Sequence, residues 1–197
     1  CGIFSFMSKP PQGEVKFGDS DHLSQLQQRL ESFSGRFVDV IPGYMGHFIS
    51  NDGGYAAIKP GLAEHTAKAE TGGIGVFIGA GGFLSMLPEL DLDMVVIIDK
   101  SPATLEFNRL LADYVLSSES PEEVIYRVTS EEVTDDSSPL KECLDLYGGP
   151  GILPALEYHF RQEAQVYGND HWTNPARFPL VQERLRSLVR ANVLADV

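Results

Sequence analysis

Two short apolar runs separated by a glycine-rich turn constrain the fold of this chain more than any other feature. The first run, over 74–78, is followed by glycines and an alanine at 79–82, and the second, over 94–98, ends at Asp99. Continuous apolar runs of this length are typical of strands buried on both faces of a parallel sheet. A βαβ unit consists of a strand, a helix and a second strand, and here the first strand, the glycine turn, a short helix over 83–87 and the second strand follow that order. The sequence therefore predicts an α/β fold with a parallel sheet flanked by helices.

Helical patterns surround this unit. Ser101 can cap a helix and Pro102 suits its first turn, after which Phe107, Leu110, Leu111 and Tyr114 form an apolar stripe. Other helices are predicted over 22–33, 61–70, 154–166 and 175–190. The composition of residues 193–197 is typical of the first residues of a strand.

The domain organisation is predicted to have two parts. Residues 1–73 form an N-terminal extension, with a helix, a short strand over 37–41 and a lid-like loop over 43–61 that is rich in glycine. Residues 74–197 form the sheet-containing domain. Within it, about 117–150 is expected to be an acidic, solvated insertion around a strand-like segment at 124–128.

Composition excludes several classes of function. The formal net charge is −13, and such a surface repels phosphate backbones, so no nucleic-acid partner is expected. The longest apolar runs fall far short of the roughly 20 residues of a membrane-spanning helix, so no membrane partner is expected. Two cysteines, Cys1 and Cys143, offer no disulfide framework, and the sequence shows no signal peptide. A cytoplasmic location is therefore predicted. The histidines show no metal-binding spacing, so no metal site is expected.

The glycine turn and the acid at the end of the next strand are the candidate binding site. Gly79, Gly81 and Gly82 allow a ligand to approach the backbone closely. Asp99 lies 20 residues after Gly79, where a carboxylate can accept both hydroxyls of an adenosine ribose. A structural alternative is that Asp99 only caps the helix that follows. We favour the ligand role because the acid stands at a strand end beside the turn.

The sequences Val-Phe-Ile-Gly-Ala-Gly-Gly-Phe at 76–83 and Val-Ile-Ile-Asp-Lys-Ser-Pro at 96–102 resemble class I S-adenosylmethionine-dependent methyltransferases. The resemblance covers about 74–116 and implies a Rossmann-like fold with S-adenosylmethionine as the cofactor. It implies that Gly79, Ala80 and Gly81 line the methionine portion of the cofactor, that Asp99 holds the ribose and that Lys100 lies beside the adenine. The acceptor of the methyl group would be a protein or a small molecule.

Two positions depart from the expected patterns. Phe83 stands where this family usually has a third glycine, and its bulk could crowd the site. A dinucleotide fingerprint requires glycine where the chain has Leu84, which disfavours NAD. An NAD-dependent oxidoreductase and a non-catalytic nucleotide-binding module remain as alternatives.

The third strand of the fold has two possible positions. In the preferred alignment, the helix after His171-Trp172 leads into a third strand near the end of the sequence, and Asp196 lies near the adenine amino group. In the other alignment, 124–128 is the third strand and 193–197 is the fourth. Both leave the family's seven-stranded sheet incomplete, so further residues or another chain are expected to complete it.

Three remaining residues are candidates for catalytic groups. Tyr44 and His47 lie in the lid-like loop, where one of them could act as a base. Cys1 begins a sequence that resembles the start of class II glutamine amidotransferases, but the βαβ pattern conflicts with the antiparallel sheets of that family. No catalytic residue is therefore assigned.

Overall fold

Three parallel strands form the centre of the structure. The computed structural model describes residues 20–33, 55–68, 72–79, 81–130, 140–141, 145 and 153–195. The strands are β1 (Ile74–Ile78), β2 (Met94–Asp99) and β3 (Val189–Leu194), and β2 lies between the other two. The predicted mixed α/β fold with a parallel sheet flanked by helices is confirmed.

Helices connect and cover these strands. They are α1 (Ser20–Phe33), α2 (Tyr55–Lys68), α3 (Gly82–Met86), α4 (Pro102–Ser117), α5 (Pro121–Thr129), α6 (Leu153–Tyr167) and α7 (Phe178–Ser187). Short 3-10 turns follow α3 at Leu87–Glu89 and α6 at Gly168–Asp170. Among the described residues, no helix combines the length and the hydropathy that a bilayer-spanning segment needs.

The two faces of the sheet carry separate apolar clusters. Val95 and Ile97 point into the main core, which α3, α4, α6 and α7 build together with the sheet. Met94 and Val96 point to the opposite face, where Leu23 of α1 packs on them. This alternation follows from the two-residue period of a strand. It explains why β2 is apolar from Met94 to Ile97, where both of its faces are covered.

The start of α4 agrees with the prediction. Ser101 is the N-cap, and its Oγ accepts a hydrogen bond from the backbone N–H of Thr104 at 3.3 Å. Pro102 occupies the first turn. At the other end, the Gln182 side-chain amide donates to the carbonyls of Val115 and Ser118, both at 2.8 Å, which ties the C-terminus of α4 to α7.

The prediction of a strand at 124–128 is wrong. These residues belong to α5, and Val124 and Val128, one helical turn apart, are both fully buried in the main core. The helix begins at Ser120, whose Oγ accepts the N–H of Glu123 at 3.2 Å. Because this segment is not a strand, the alternative alignment of the third strand is also overturned. At least this part of the acidic segment packs into the core rather than extending into solvent.

Two boundaries also differ from the predictions. The loop expected over 43–61 is helical from Tyr55, so that α2 begins before the helix predicted from 61 and contains Pro60 in its interior. Residues 43–54, like the strand expected at 37–41, lie outside the described residues. The last helix ends at Ser187 instead of 190, because Leu188 is extended and Val189 already pairs with Met94 of β2. The strand expected from 193 therefore begins at Val189. It is the third strand of the sheet, as the preferred alignment predicts.

A buried junction joins the first half of the chain to α7. Ser85 of α3 accepts the backbone N–H of Trp172 on its Oγ at 3.0 Å, and its carbonyl accepts from Arg177 at 2.9 Å. Arg177 also forms an ion pair with Glu89 at 2.8 Å. Trp172 packs on Phe178 at the start of α7, with ring centroids 6.5 Å apart. This contact joins the turn before α7 to the first residue of that helix.

Candidate functional site

The carboxyl ends of β1 and β2 lie side by side. Ile78 pairs with Ile98 in parallel register, and the backbone N–H of Gly79 donates to the carbonyl of Ile98 at 3.4 Å. Gly79 has a φ of 79°, a backbone conformation that favours glycine. A Cβ atom placed on Gly79 would meet no atom within 4 Å. The turn after β1 is therefore bordered by open space next to Asp99 on the neighbouring strand.

The second glycine of the turn faces the interior. Gly81 has a φ of 81°, and its backbone N–H donates to Oδ1 of Asn108 at 3.1 Å in a buried environment. Its carbonyl accepts the N–H of Leu84 at 3.0 Å as α3 begins. Asn108, on the second turn of α4, thus holds the glycine turn in place. The sequence analysis did not identify Asn108, because the two residues are 27 positions apart.

Asp99 is the last residue of β2 and is half-buried. Its Oδ1 accepts the backbone N–H of Ser101 at 2.7 Å, which fixes the carboxylate at the turn between β2 and α4. Lys100 follows it and is also half-buried. Ser101, rather than Asp99, is the N-cap of α4. The structure thus brings Gly79, Gly81, Asp99 and Lys100 to one edge of the sheet, while Ala80 and Asp196 lie outside the described residues.

Phe83 lies in the main core. Only 3% of its surface is exposed, and its ring packs on Phe77 with centroids 5.9 Å apart. Leu84, at the position of the third glycine in a dinucleotide fingerprint, is completely buried. Both side chains are part of the packing that holds α3 against the sheet.

A buried histidine and glutamate form the most unusual polar pair in the described part of the chain. Nε2 of His171 lies 3.4 Å from Oε2 of Glu163, and Nδ1 of His171 lies 2.5 Å from Oγ1 of Thr173. His171 is completely buried, and the Tyr167 and Trp172 rings pack on it. Because both side chains are buried and neighbouring rings pack on His171, we assign the pair a structural role. The sequence offered no sign of it, since neither residue is part of a recognisable motif.

The other residues weighed from the sequence cannot be placed at the site. Tyr44, His47, Cys1 and Cys143 all lie outside the described residues. Within the described ranges, no group of three or more His, Cys, Asp or Glu side chains is arranged to hold a metal ion. No protein-family model matches the chain, and no curated protein sequence matches it.

Replacing Asn108 with alanine is expected to destabilise the glycine turn. The substitution leaves the buried N–H of Gly81 without its acceptor, and an unsatisfied buried donor costs about 1–3 kcal/mol. Urea unfolding measures this loss, and hydrogen exchange at the Gly81 amide should become faster. The control is Asn169→Ala at an exposed position, where a change within about 0.5 kcal/mol is expected. Equal stabilities for the two variants would show that Asn108 does not hold the turn.

Proposed function

We propose that this chain binds S-adenosylmethionine at the carboxyl ends of β1 and β2 and transfers its methyl group to a protein or small-molecule acceptor. The observation that carries the proposal is the juxtaposition of the Gly79 turn, with open space beside it, and the Asp99 carboxylate on the adjacent parallel strand. In open α/β sheets, ligands bind in the crevice outside the carboxyl ends of the strands.

The order of the strands supports a Rossmann-like fold. In the Rossmann strand order 3-2-1-4-5-6, the second strand lies between the first and the third, as β2 lies between β1 and β3 here. All three strands are parallel, and helices connect β1 to β2 and β2 to β3. The proposed nucleoside site then falls beside the first strand, where such sheets hold their ligands.

Each residue at this edge has a role in the proposal. Asp99 would accept hydrogen bonds from the ribose hydroxyls, and Ser101 keeps its carboxylate oriented through the 2.7 Å hydrogen bond. The backbone at Gly79, Ala80 and Gly81 would follow the methionine portion, and Lys100 would flank the adenine. Asp196 would lie near the adenine amino group.

The reaction requires mainly positioning. When bound, the cofactor would supply an electrophilic methyl carbon on a sulfonium, to which an acceptor lone pair bonds in line while the thioether leaves with the electrons of the carbon–sulfur bond. Holding the two reactants in the right orientation accounts for a large share of the rate enhancement in such a step. The rigid turn that Asn108 fixes and the anchored Asp99 carboxylate would supply that orientation.

The structure favours S-adenosylmethionine over NAD for a physical reason. Dinucleotide sites place a pyrophosphate at the N-terminus of the helix after the glycine turn. Here that helix, α3, has only 5 residues and is continued by a 3-10 turn. The third glycine that lets a dinucleotide helix pack closely on its strand is replaced by the buried Leu84.

Calorimetric titration with S-adenosylmethionine, S-adenosylhomocysteine and NAD tests the proposal. We expect the first two to bind and NAD not to bind. Asp99→Asn keeps an oxygen that can accept the Ser101 N–H but removes the charge that the ribose would meet. Because a hydrogen bond to a charged group is worth about 1.5–3 kcal/mol, affinity should fall about tenfold to a hundredfold.

The matched control is Ser101→Ala, which removes the Oγ that caps α4 but keeps the backbone N–H that donates to the Asp99 carboxylate. This variant should bind S-adenosylmethionine with nearly the affinity of the wild type. Binding of NAD alone, or an Asp99→Asn variant that binds as the wild type does, would overturn the proposal. Binding without transfer of a labelled methyl group to any acceptor would favour the non-catalytic alternative.

A further inference from the structure

Helix α3 joins the glycine turn of the proposed cofactor site to the main core. It begins directly after Gly81, whose carbonyl accepts the N–H of Leu84 at 3.0 Å. The helix has only 5 residues, and all of them are buried. A helix this short is not stable by itself, because it makes too few internal hydrogen bonds. Contacts with other elements therefore determine where α3 lies, and with it the end of the turn.

The C-terminal end of α3 is held by a side chain from a distant part of the chain. The last carbonyls of a helix have no donor within the helix, and Pro88, just after α3, has no backbone N–H to offer. Nη2 of Arg177, 92 positions later in the chain, donates to the carbonyl of Ser85 at 2.9 Å. Arginine side chains can hydrogen-bond the last carbonyls of helices. Arg177 therefore supplies a donor to the end of α3.

The Arg177 guanidinium is itself fixed in position by carboxylates. Nη2 lies 2.8 Å from Oε1 of Glu89, and Nη1 lies 3.6 Å from Oδ1 of Asp170. The Arg177 side chain is only 13% exposed. On the other side, Lys59 of α2 pairs with Asp170 at 2.5 Å. Because these charges alternate in sign, the network keeps the guanidinium beside the Ser85 carbonyl.

The side chain of Ser85 makes a second contact with the same segment. Ser85 is completely buried, and its Oγ accepts the backbone N–H of Trp172 at 3.0 Å. The carbonyl and the hydroxyl of this one residue therefore both bind the segment 172–177 that precedes α7. Two hydrogen bonds at Ser85 attach α3 to that segment.

We propose that Arg177 is a positioning residue of the S-adenosylmethionine site. By holding the Ser85 carbonyl, it fixes α3 on one side of the glycine turn, while Asn108 fixes the turn at the Gly81 N–H. Gly79 and Gly81 both have positive φ values, and glycine restricts the backbone least, so the turn depends on such anchors for its shape. This inference rests on the proposed function, because it assigns a role at that same site.

Arg177 is expected to affect the affinity for the ligand without touching it. A ligand that binds one conformation of the turn loses apparent affinity in proportion to the fraction of molecules in that conformation. Without the guanidinium, α3 loses its donor at Ser85, and this fraction falls. A merely structural role would lower the free energy of unfolding but leave the affinity of the folded protein unchanged.

Arg177→Gln tests the inference by two measurements, under conditions in which urea unfolding shows that the variant is folded. In calorimetric titration, its affinity for S-adenosylhomocysteine should fall at least about tenfold, the factor expected for the loss of one hydrogen bond to a charged group. Without ligand, hydrogen exchange at the Gly81 amide should become faster than in the wild type. Exchange at Val128, buried in α5, should change less, because the opening is local.

The matched control is Arg184→Gln on α7. Arg184 pairs with Asp91 at 3.0 Å, so it also ties the end of the chain to the connection between α3 and β2. The Arg184 side chain is 38% exposed, and a pair this exposed contributes little to stability. This variant should bind S-adenosylhomocysteine with the affinity of the wild type, and exchange at Gly81 should be unchanged.

Arg177→Lys provides the test if Arg177→Gln does not fold. Lysine keeps a cation beside Glu89 and Asp170 but lacks the planar fork with which arginine reaches several acceptors at once. Its affinity for S-adenosylhomocysteine should also fall below that of the wild type.

Two results would overturn the inference while leaving the proposed function intact. One is a folded Arg177 variant that binds S-adenosylhomocysteine as tightly as the wild type does. The other is an equal acceleration of hydrogen exchange at Gly81 and Val128, which would show only a general loss of stability. A wild type that does not bind S-adenosylhomocysteine would instead overturn the proposed function and this inference together.

Discussion

Ile97→Asp is expected to leave most of the chain unfolded at 25 °C. Ile97 is 1% exposed and lies on the central strand, between Phe77 of β1 and Asn192 of β3. The substitution forfeits about 1.5–3 kcal/mol of apolar burial. It also places a carboxylate in the main core, where an unpaired ion costs several kcal/mol more. The sum is comparable with the whole stability of a typical domain, about 5–15 kcal/mol.

Ile78→Asp is the matched control, because it introduces the same group on the neighbouring strand. Ile78 is 40% exposed at the end of β1, so its aspartate stays in contact with water. We expect a loss below about 1.5 kcal/mol and a folded protein. Far-UV circular dichroism and urea unfolding measure both variants. Equal losses in the two, or a stable Ile97→Asp, would contradict the position of β2 at the centre of the sheet.

Trp172→Ala is expected to destabilise the protein by about 3–5 kcal/mol, since removal of a large buried aromatic side chain leaves a cavity. Trp172 is completely buried, and the rings of Phe160, His171 and Phe178 surround it at centroid distances of 5.8, 5.6 and 6.5 Å. These rings join α6 to the start of α7. The loss should therefore loosen the connection that leads into β3.

Urea unfolding followed by far-UV circular dichroism measures this loss. Tyr158→Ala is the control, because Tyr158 is 59% exposed on α6 and its truncation should change stability by about 0.5 kcal/mol or less. The chain contains one tryptophan, so the emission of the wild type reports on this site alone, and it should be that of a buried indole. A solvent-like emission, or a loss no larger than that of Tyr158→Ala, would contradict the packing at this junction.

The parts of the fold predicted correctly are those that local patterns determine. β1 and β2 are short apolar runs that end at a glycine and at an acid, and α4 has its cap, its proline and its apolar stripe close together in sequence. Because a βαβ unit places consecutive strands side by side, the proximity of Gly79 and Asp99 could also be predicted. The structure confirms that proximity.

The incorrect predictions arose where two local signals competed. Over 124–128, the β-branched residues favoured a strand, but Ser120 and Glu123 have the spacing of a helix N-terminal capping pair, and the helix formed. In α2, a proline in the interior removes a backbone donor, so sequence rules place the start of the helix at Pro60 rather than at Tyr55. At the end of α7, pairing with β2 determines where the helix stops, and no local residue marks it.

The groups that sequence reasoning missed depend on contacts between distant parts of the chain. In the sequence, nothing distinguishes Asn108 from other helical residues. Its role follows from the position of α4 beside the glycine turn, where Asn108 accepts the Gly81 N–H. Glu163 and His171 meet only because α6 and the following turn fold on each other. Arg190 likewise reaches Asp113, 77 positions earlier in the chain, only because β3 lies beside α4.

The most direct test of the central claim is where S-adenosylhomocysteine binds, mapped by amide NMR on the isotope-labelled chain. The account predicts that the largest shifts cluster at Gly79, Gly81 and 99–101, and that they disappear at the same ligand concentration in Asp99→Asn. Shifts confined to other elements, or none at a saturating concentration, would contradict a nucleoside site at the ends of β1 and β2.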